Sequence, residues 1–137
     1  MALSATLEVK PTGMRIFKTR LFNRWAADEG MTDEALREAV DELAAGLVDA
    51  NLGGHVYKKR VGLNGRGKRG GVRTLIAFRL EDKAFFLYGF AKNESDNISD
   101  KELKALRLLA GELLGYNPSA LNQAIRAGEL IEVMNDE

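Results

Sequence analysis

Apolar residues recur along the chain with two different periods, and these periods separate the predicted strands from the predicted helices. Residues 14–18 alternate between polar and apolar side chains and predict a first strand. Residues 19–28 predict a short helix that Gly30 ends. Thr32 is a preferred N-cap residue, and the apolar residues after it, at steps of three and four, predict a second helix that extends through Leu47.

The middle of the chain carries the two-residue period of strands. Residues 55–62, 72–80 and 84–91 predict three strands, and a short hairpin turn at 81–83 joins the last two. Residues 62–71 contain five glycines and three basic residues, which predicts a flexible basic loop. This loop precedes a strand and not a helix, so it is not a P-loop, although its glycines would let backbone N–H groups approach phosphates.

The last third of the chain is predicted to be mainly helical. Ser99 and Glu102 have the spacing of a capping box, and a leucine stripe after them predicts a long helix that ends near Gly115. Residues 117–118 (Asn-Pro) begin a short helix, and residues 130–133 predict a small edge strand. Consecutive hairpin-linked strands flanked by helices predict an α+β fold with a mostly antiparallel central sheet and a C-terminal helical extension.

Side chains alternate between the two faces of a strand, so parity assigns the basic residues to faces. In the first of the three central strands, Lys58 and Arg60 share a face. In the second, Arg73 and Arg79 lie on the face opposite the main apolar row, which predicts a wide, open basic surface. In the third, one face is expected to carry three aromatic residues and a lysine: Phe86, Tyr88, Phe90 and Lys92.

The composition bounds the possible chemistry. The 137 residues fit one domain, and 45% hydrophobic with 29% charged residues is typical of a soluble globular chain. With no cysteine and only His55, the chain has no disulfide, no cysteine nucleophile and no two-histidine metal site. No membrane-spanning apolar stretch or secretory signal pattern occurs. We therefore expect a cytoplasmic protein that uses no metal or cofactor and does not act at a membrane.

The net charge of zero conceals an uneven charge distribution. Residues 55–80 carry eight Lys and Arg and no Asp or Glu, so this window is +8 and the remainder of the chain is −8. Because apolar residues alternate with these charges, we predict a folded basic surface that meets a polyanion. The alternative is that these basic residues form a solvent-exposed face whose positive charge is balanced by acidic residues on the helices. His55 is interpreted as a surface residue, and Tyr88 as either a core residue or one that stacks on a base or donates a proton.

Three segments together resemble one known family. They are VYKKR at 56–60, GRGKRGGVR at 65–73 and YGFAKNE at 88–94, and the helix start NISDKEL at 97–103 is similar too. They resemble the RelE/HigB toxins of bacterial type II toxin–antitoxin systems, within the RelE/ParE superfamily. The resemblance assigns residues 14–114 to a RelE-like toxin domain. Residues 1–13 are then a loose arm, and residues 115–137 an extension packed on the same domain.

The resemblance implies an endoribonuclease that enters the ribosomal A site and cleaves mRNA without a metal, the RNA's own 2′-OH attacking the phosphate. It implies a catalytic set of four residues: Lys58, Arg60, Arg73 and Lys92. Further RNA-binding candidates are Lys59, Arg66, Lys68, Arg69, Arg79 and Tyr88. The implied partners are the ribosome, mRNA and a small antitoxin, with a helix-turn-helix, encoded by the adjacent gene. No residue of the C-terminal extension matches the acid/base residue of some family members.

Two other functions remain open at this point, because one fold can support several activities. The first is a ParE-like toxin that poisons DNA gyrase. The second is a non-catalytic domain whose basic sheet face only holds the phosphates of a nucleic acid. The converging basic residues favour RNA cleavage, because a gyrase poison does not need them.

Overall fold

Six strands form a single sheet in the computed structural model of the chain. The structure describes residue 9 and residues 11–63, 67–91 and 98–134, with the backbone alone at 67–70. The elements in chain order are β1 (Arg15–Thr19), α1 (Arg20–Glu29), α2 (Asp33–Ala44), β2 (Ala50–Asn51), β3 (Val56–Leu63), β4 (Gly67–Phe78), β5 (Lys83–Ala91), α3 (Asp100–Leu114), α4 (Pro118–Arg126) and β6 (Leu130–Glu132).

The strand order across the sheet is β2-β3-β4-β5-β1-β6. β1 runs parallel to β5, and the other neighbouring pairs are antiparallel. The prediction of an α+β fold with a mostly antiparallel sheet, flanking helices and a helical C-terminal part is confirmed. No helix in the described part of the chain is long and apolar enough to cross a membrane.

Side-chain caps begin the helices where the sequence predicts them. The hydroxyl oxygens of Thr19 and Thr32 accept hydrogen bonds from backbone N–H groups in the first turns of α1 and α2. Ser99 and Glu102 form the predicted capping box at the start of α3. Asn117 caps α4, with proline at the first helical position. These contacts satisfy N–H groups that lack a partner inside the helix, which sets the helix boundaries locally.

The sheet separates two hydrophobic clusters, so it has two chemically distinct faces. Helices α1 and α2 cover the first face, where Phe22, Val40, Ile76 and Phe86 are buried in one cluster. Helices α3 and α4 cover the second, where Leu113 is among the residues packed on that side. We call these the α1–α2 face and the α3–α4 face. The alternation predicted for the first two central strands, β3 and β4, is confirmed. Odd- and even-numbered apolar residues of each strand lie in different hydrophobic clusters, on opposite faces of the sheet.

Three sequence predictions are wrong in detail. The glycine-rich segment is not wholly a loop, since β4 begins at Gly67, which pairs with Leu63; residues 64–66 lie outside the described part. The second helix ends at Ala44, and the short strand β2 follows it. A bulge in β5 interrupts the alternation. Ile76 pairs with Phe86 while Leu75 pairs with Tyr88, so Leu87 is the extra residue.

The chain after α3 joins the same sheet. β6 pairs antiparallel with β1, and Val133 donates its backbone N–H to the carbonyl of Ile16. Leu121 and Leu130 are buried in the cluster on the α3–α4 face. Residues 118–133 therefore supply both an edge strand and a helix of the core.

Candidate functional site

One row of side chains crosses three central strands on the α3–α4 face. Arg60 of β3 lies directly opposite Arg73 of β4, and Arg73 lies directly opposite Phe90 of β5. Directly opposed residues have Cβ atoms about 4.5–5.5 Å apart, so two guanidinium groups share one small area. Phe90 is buried beside them, with 5% of its surface exposed.

A second row lies next to the first along the strands. Lys58 lies opposite Leu75, and Leu75 lies opposite Tyr88. The two rows are two residues apart along β3 and β4, a distance of about 6.6 Å. Lys58 therefore joins the two arginines, and we call Lys58, Arg60 and Arg73 the basic cluster.

The basic cluster has no counter-charge in the described part of the chain. No ion pair links Lys58, Arg60 or Arg73 to a described carboxylate. The Nε of Arg60 is buried and has no hydrogen-bond acceptor among the described residues. Like charges in directly opposed positions destabilise a sheet, and a buried donor without an acceptor adds to that cost. An anion bound at this point would offset both costs.

Tyr88 lies on the same face because of the bulge in β5. Its side chain is 37% exposed, and its ring centroid is 6.2 Å from that of Phe90. Sequence parity places Phe86 on the face of Tyr88, but Phe86 is buried in the opposite cluster. The extra residue in β5 thus brings an accessible phenol beside the basic cluster, which simple alternation does not predict.

Lys59 lies apart from the basic cluster, although the resemblance lists it among the RNA-binding candidates. It is on the α1–α2 face and only 4% exposed. Its Nζ lies 2.8 Å from a carboxylate oxygen of Glu42 on α2. A buried lysine held in this ion pair cannot contact a nucleic acid without breaking the pair, so its role is structural.

Arg79 has the same parity as Arg73 but lies just beyond the other end of β4, about 20 Å away for six extended residues. Its Nη1 donates to Asp82 at 3.0 Å and to the backbone carbonyl of Leu114 at 3.5 Å. The structure therefore does not bring Arg79 together with the basic cluster. Lys92 and Arg66 lie outside the described residues, and so do the side chains of Lys68 and Arg69.

The expectation of a wide, open face is wrong, because α3 and α4 cover much of it. Leu75 is 1% exposed and Ala77 is fully buried, while Lys58, Arg60 and Arg73 keep intermediate exposure. The accessible basic area is therefore a patch at one end of the sheet, beside the start of α3.

A small pocket adjoins this patch, and sequence reasoning missed it. Its volume is about 140 Å³, and its lining residues are Leu52, Lys58, Leu75, Phe90, Ile98 and Leu103. The leucines of α3 signal a helix that packs on a sheet, but they do not indicate where the packing leaves a space.

The other basic residues near the N-terminus mainly hold the fold together. Arg15 pairs with Glu132 of β6 at 2.9 Å, and this hydrogen bond raises the pKa of Arg15. Lys18 pairs with Asp33 at 3.1 Å. Arg20 donates to the carbonyl of Gly128 at 3.0 Å. These contacts join β1 and the start of α1 to distant parts of the chain.

His55 is exposed in the turn before β3, as the sequence predicts, and it has a positive φ of 66°. Its backbone carbonyl accepts a hydrogen bond from Phe78, which ties the turn to the end of β4. In the described part of the chain, no three His, Asp or Glu residues lie close enough together to hold a metal ion.

The fold and the basic cluster define a class: a small α+β domain that presents, on one face of its sheet, cations without a counter-charge among the described residues. The sequence matches the family described as RelE toxin of RelE / RelB toxin-antitoxin system over residues 14–133. A search of the curated proteins found no match. Because the family match spans β1 to β6, the chain belongs to the RelE toxin family.

Proposed function

We propose that this protein is the toxin of a toxin–antitoxin pair and that it inhibits translation by cleaving mRNA on the ribosome. The observation that carries the proposal is the basic cluster, in which Arg60 and Arg73 oppose each other without a described carboxylate. A phosphodiester that gains negative charge during cleavage is the kind of ligand such a cluster suits. Membership of the RelE family supports the same conclusion.

In the proposed reaction, the 2′-oxygen of one nucleotide attacks the adjacent phosphorus, and the bond from phosphorus to the 5′-oxygen of the next nucleotide breaks. The products are a 2′,3′-cyclic phosphate and a free 5′-hydroxyl. Arg60 and Arg73 donate hydrogen bonds to the non-bridging oxygens, whose charge rises in the transition state. Since fixed guanidinium groups supply this stabilisation, we propose that the reaction needs no metal.

The reaction also needs one group to accept the proton of the 2′-OH and another to protonate the 5′-oxygen. Lys58 and Tyr88 are in the same row, on the two sides of Leu75. Two strand spacings separate them, which is about 9.6 Å between backbones. We propose that one of these two side chains accepts the proton of the 2′-OH and that the other protonates the 5′-oxygen, from opposite sides of the phosphate. Lys92 remains a proposed member of the catalytic set, as the resemblance implies, and the flanking Arg66, Lys68 and Arg69 remain proposed RNA contacts.

The decisive experiment expresses the protein from an inducible promoter and maps mRNA 5′ ends with and without active translation. We expect new ends within translated regions, and none when a drug removes ribosomes from the message. Arg73→Ala should lower cleavage by about 100- to 1000-fold, as for the loss of one preorganised donor. Arg24→Ala on α1 removes the same charge from the surface of another element and should leave cleavage unchanged.

Other outcomes would assign a different function. Growth arrest with intact mRNA and inhibited DNA supercoiling would indicate a gyrase poison. Binding of RNA without cleavage would indicate a non-catalytic domain. A folded Arg73→Ala protein that remains fully toxic would contradict the assignment of the site.

RelE family membership also implies an antitoxin partner. We propose that it is a small protein encoded by the adjacent gene, with a helix-turn-helix and an acidic segment that covers the basic cluster or prevents entry into the ribosome. Co-expression should restore growth, and the two proteins should purify together. Because the ribosome is the proposed target, the cytoplasm is the proposed location.

A further inference from the structure

The pocket beside the basic cluster has the dimensions and lining of a binding site for a single aromatic ring. Five of its six lining residues are apolar, and the sixth is Lys58. Its volume is about 140 Å³. For scale, a cavity of about 150 Å³ lined by apolar side chains in another protein takes up benzene, which is one six-membered ring.

The pocket and the basic cluster are immediate neighbours in the sheet. Leu75, which lines the pocket, is two residues from Arg73 on β4, and Phe90, which also lines it, lies directly opposite Arg73. Lys58 belongs to both. A phosphate held by Arg60 and Arg73 would therefore place the base of an adjoining nucleotide next to the opening between β3, β4 and the start of α3.

We propose that this pocket holds the pyrimidine base of one of the two nucleotides joined by the cleaved bond. A pyrimidine is a single six-membered ring, whose size matches the volume of the pocket more closely than the two fused rings of a purine. Phe90 and the apolar residues beside it line the pocket with carbon atoms, which suit the faces of a base. The inference rests on the proposed function and adds a substrate preference to it.

Lys58 supplies the polar contact that a base requires in an apolar pocket. An ammonium group has three N–H donors, so Lys58 can donate to the base and still face the phosphate. Uracil and cytosine both carry a carbonyl oxygen at position 2, next to the sugar, which can accept this hydrogen bond. The contact therefore favours pyrimidines as a class and does not distinguish uracil from cytosine.

The test measures cleavage on ribosomes programmed with mRNAs that carry U, C, A or G on each side of the cleaved bond in turn. At one of the two positions, the wild-type protein should have a kcat/KM about tenfold higher for U or C than for A or G, the size expected when one stacking contact is lost. Leu103→Ala enlarges the pocket and should raise cleavage with purines toward that with pyrimidines.

Leu103→Trp fills the pocket and should lower kcat/KM for the pyrimidine messages about tenfold, which removes the preference. The matched control is Leu108→Trp on the same helix, where Leu108 is 70% exposed and outside the pocket. It should keep both rate and preference. If Leu103→Trp does not fold by circular dichroism, Leu103→Ala alone decides the result.

The failures are distinguishable. Equal cleavage of all the messages by the wild-type protein would overturn the pyrimidine pocket and leave the proposed function in place. An unchanged preference in folded Leu103→Ala would also overturn it. The absence of any cleavage by the wild-type protein would overturn the proposed function and the pocket together.

Discussion

Lys58 and Lys59 are neighbours in the sequence and carry the same charge, but β3 directs them to opposite faces of the sheet. Lys59 is buried on the α1–α2 face and its charge is paired with Glu42. Lys58 lies on the α3–α4 face beside Arg60, without a described carboxylate partner. The comparison teaches that one run of basic residues can contain both a charge paired within the fold and a charge without a described partner. What separates them is whether the fold provides a counter-charge.

The two faces also differ in how helices cover them. On the α1–α2 face, Trp25 packs so closely on Gly89 that a Cβ atom there would lie 2.1 Å from the ring. On the α3–α4 face, the start of α3 leaves the pocket beside Lys58. The close contact of Trp25 with Gly89 supports the sheet at that point, and the space beside Lys58 leaves the basic cluster accessible.

The largest expected effect on stability comes from breaking the pair on the α1–α2 face. Lys59→Met removes the ammonium group that lies 2.8 Å from the Glu42 carboxylate, whose side chain is 13% exposed, and it should lower the free energy of unfolding by about 3–5 kcal/mol. Urea denaturation followed by circular dichroism measures this. Lys58→Met is the matched control and should change stability by less than about 0.5 kcal/mol while it impairs cleavage.

A double substitution checks the cause of that loss. Lys59→Met combined with Glu42→Leu removes both charges and should recover most of the lost stability. If the double variant is as unstable as Lys59→Met, the ion pair is not the reason for the effect.

A smaller loss is expected where Trp25 packs on Gly89. Gly89→Ala forces the Trp25 ring to move and should cost about 1–3 kcal/mol. Trp25 is the only tryptophan, so its fluorescence reports the displacement directly. Gly111→Ala on α3 is the control, because a Cβ there meets nothing within 4 Å. It should stabilise the protein by about 0.5–1 kcal/mol.

A substitution in the basic cluster should instead raise the stability of the fold. Arg60→Gln removes the repulsion with Arg73 and should raise the free energy of unfolding by about 0.2–1 kcal/mol while cleavage falls. Thermal unfolding at low and high salt tests this, because added salt should reduce the difference from wild type. A lower stability at both salt concentrations would mean that Arg60 contributes more by packing than it costs by repulsion.

An effect of similarly small size is expected at Asp82, between the end of β4 and the start of β5. The hydrogen bond from Lys83 at 2.8 Å, with a second from Arg79, lowers the pKa of Asp82. The folded state therefore favours the carboxylate. Its contribution is fully present above the ordinary aspartate pKa of about 3.9 and is lost as the pH falls through the lower folded-state value.

Asp82→Asn should remove this dependence, at a cost of about 0.2–1 kcal/mol at neutral pH. Unfolding curves between pH 2 and pH 6 measure it. Identical pH profiles for the variant and the wild type would contradict the assignment of the charge contacts to Asp82.

Local patterns predicted much of the fold. Thr32, Ser99 and Asn117 begin helices where their side chains predict caps, because capping joins residues only a few positions apart. Alternation in β3 and β4 correctly placed Lys58, Arg60 and Arg73 on one face. It failed in β5, because the bulge at Leu87 depends on how β5 aligns with β4 and not on the sequence of β5 alone.

The candidate site was predictable only in part, because it too depends on how distant segments of the chain align. The sequence indicated a positive charge along 55–80, and parity indicated which residues share a face. It did not indicate that Lys59 meets Glu42, because 17 positions separate the two residues. It did not indicate the pocket, because the pocket is lined by residues that are far apart in the sequence. Lys58 is in β3 and Leu103 is in α3, and two strands, β4 and β5, lie between these elements in the chain.

By itself, therefore, the sequence determined the helices, the strand parity, the charge of the central segment and the family resemblance. These features depend on residue identity and short-range spacing. The tertiary structure alone decided which lysine is neutralised, where α3 covers the sheet, and how the bulge turns Tyr88 toward the basic cluster. Those outcomes depend on contacts between distant segments, whose geometry exists only once the strands are paired and the helices are packed on them.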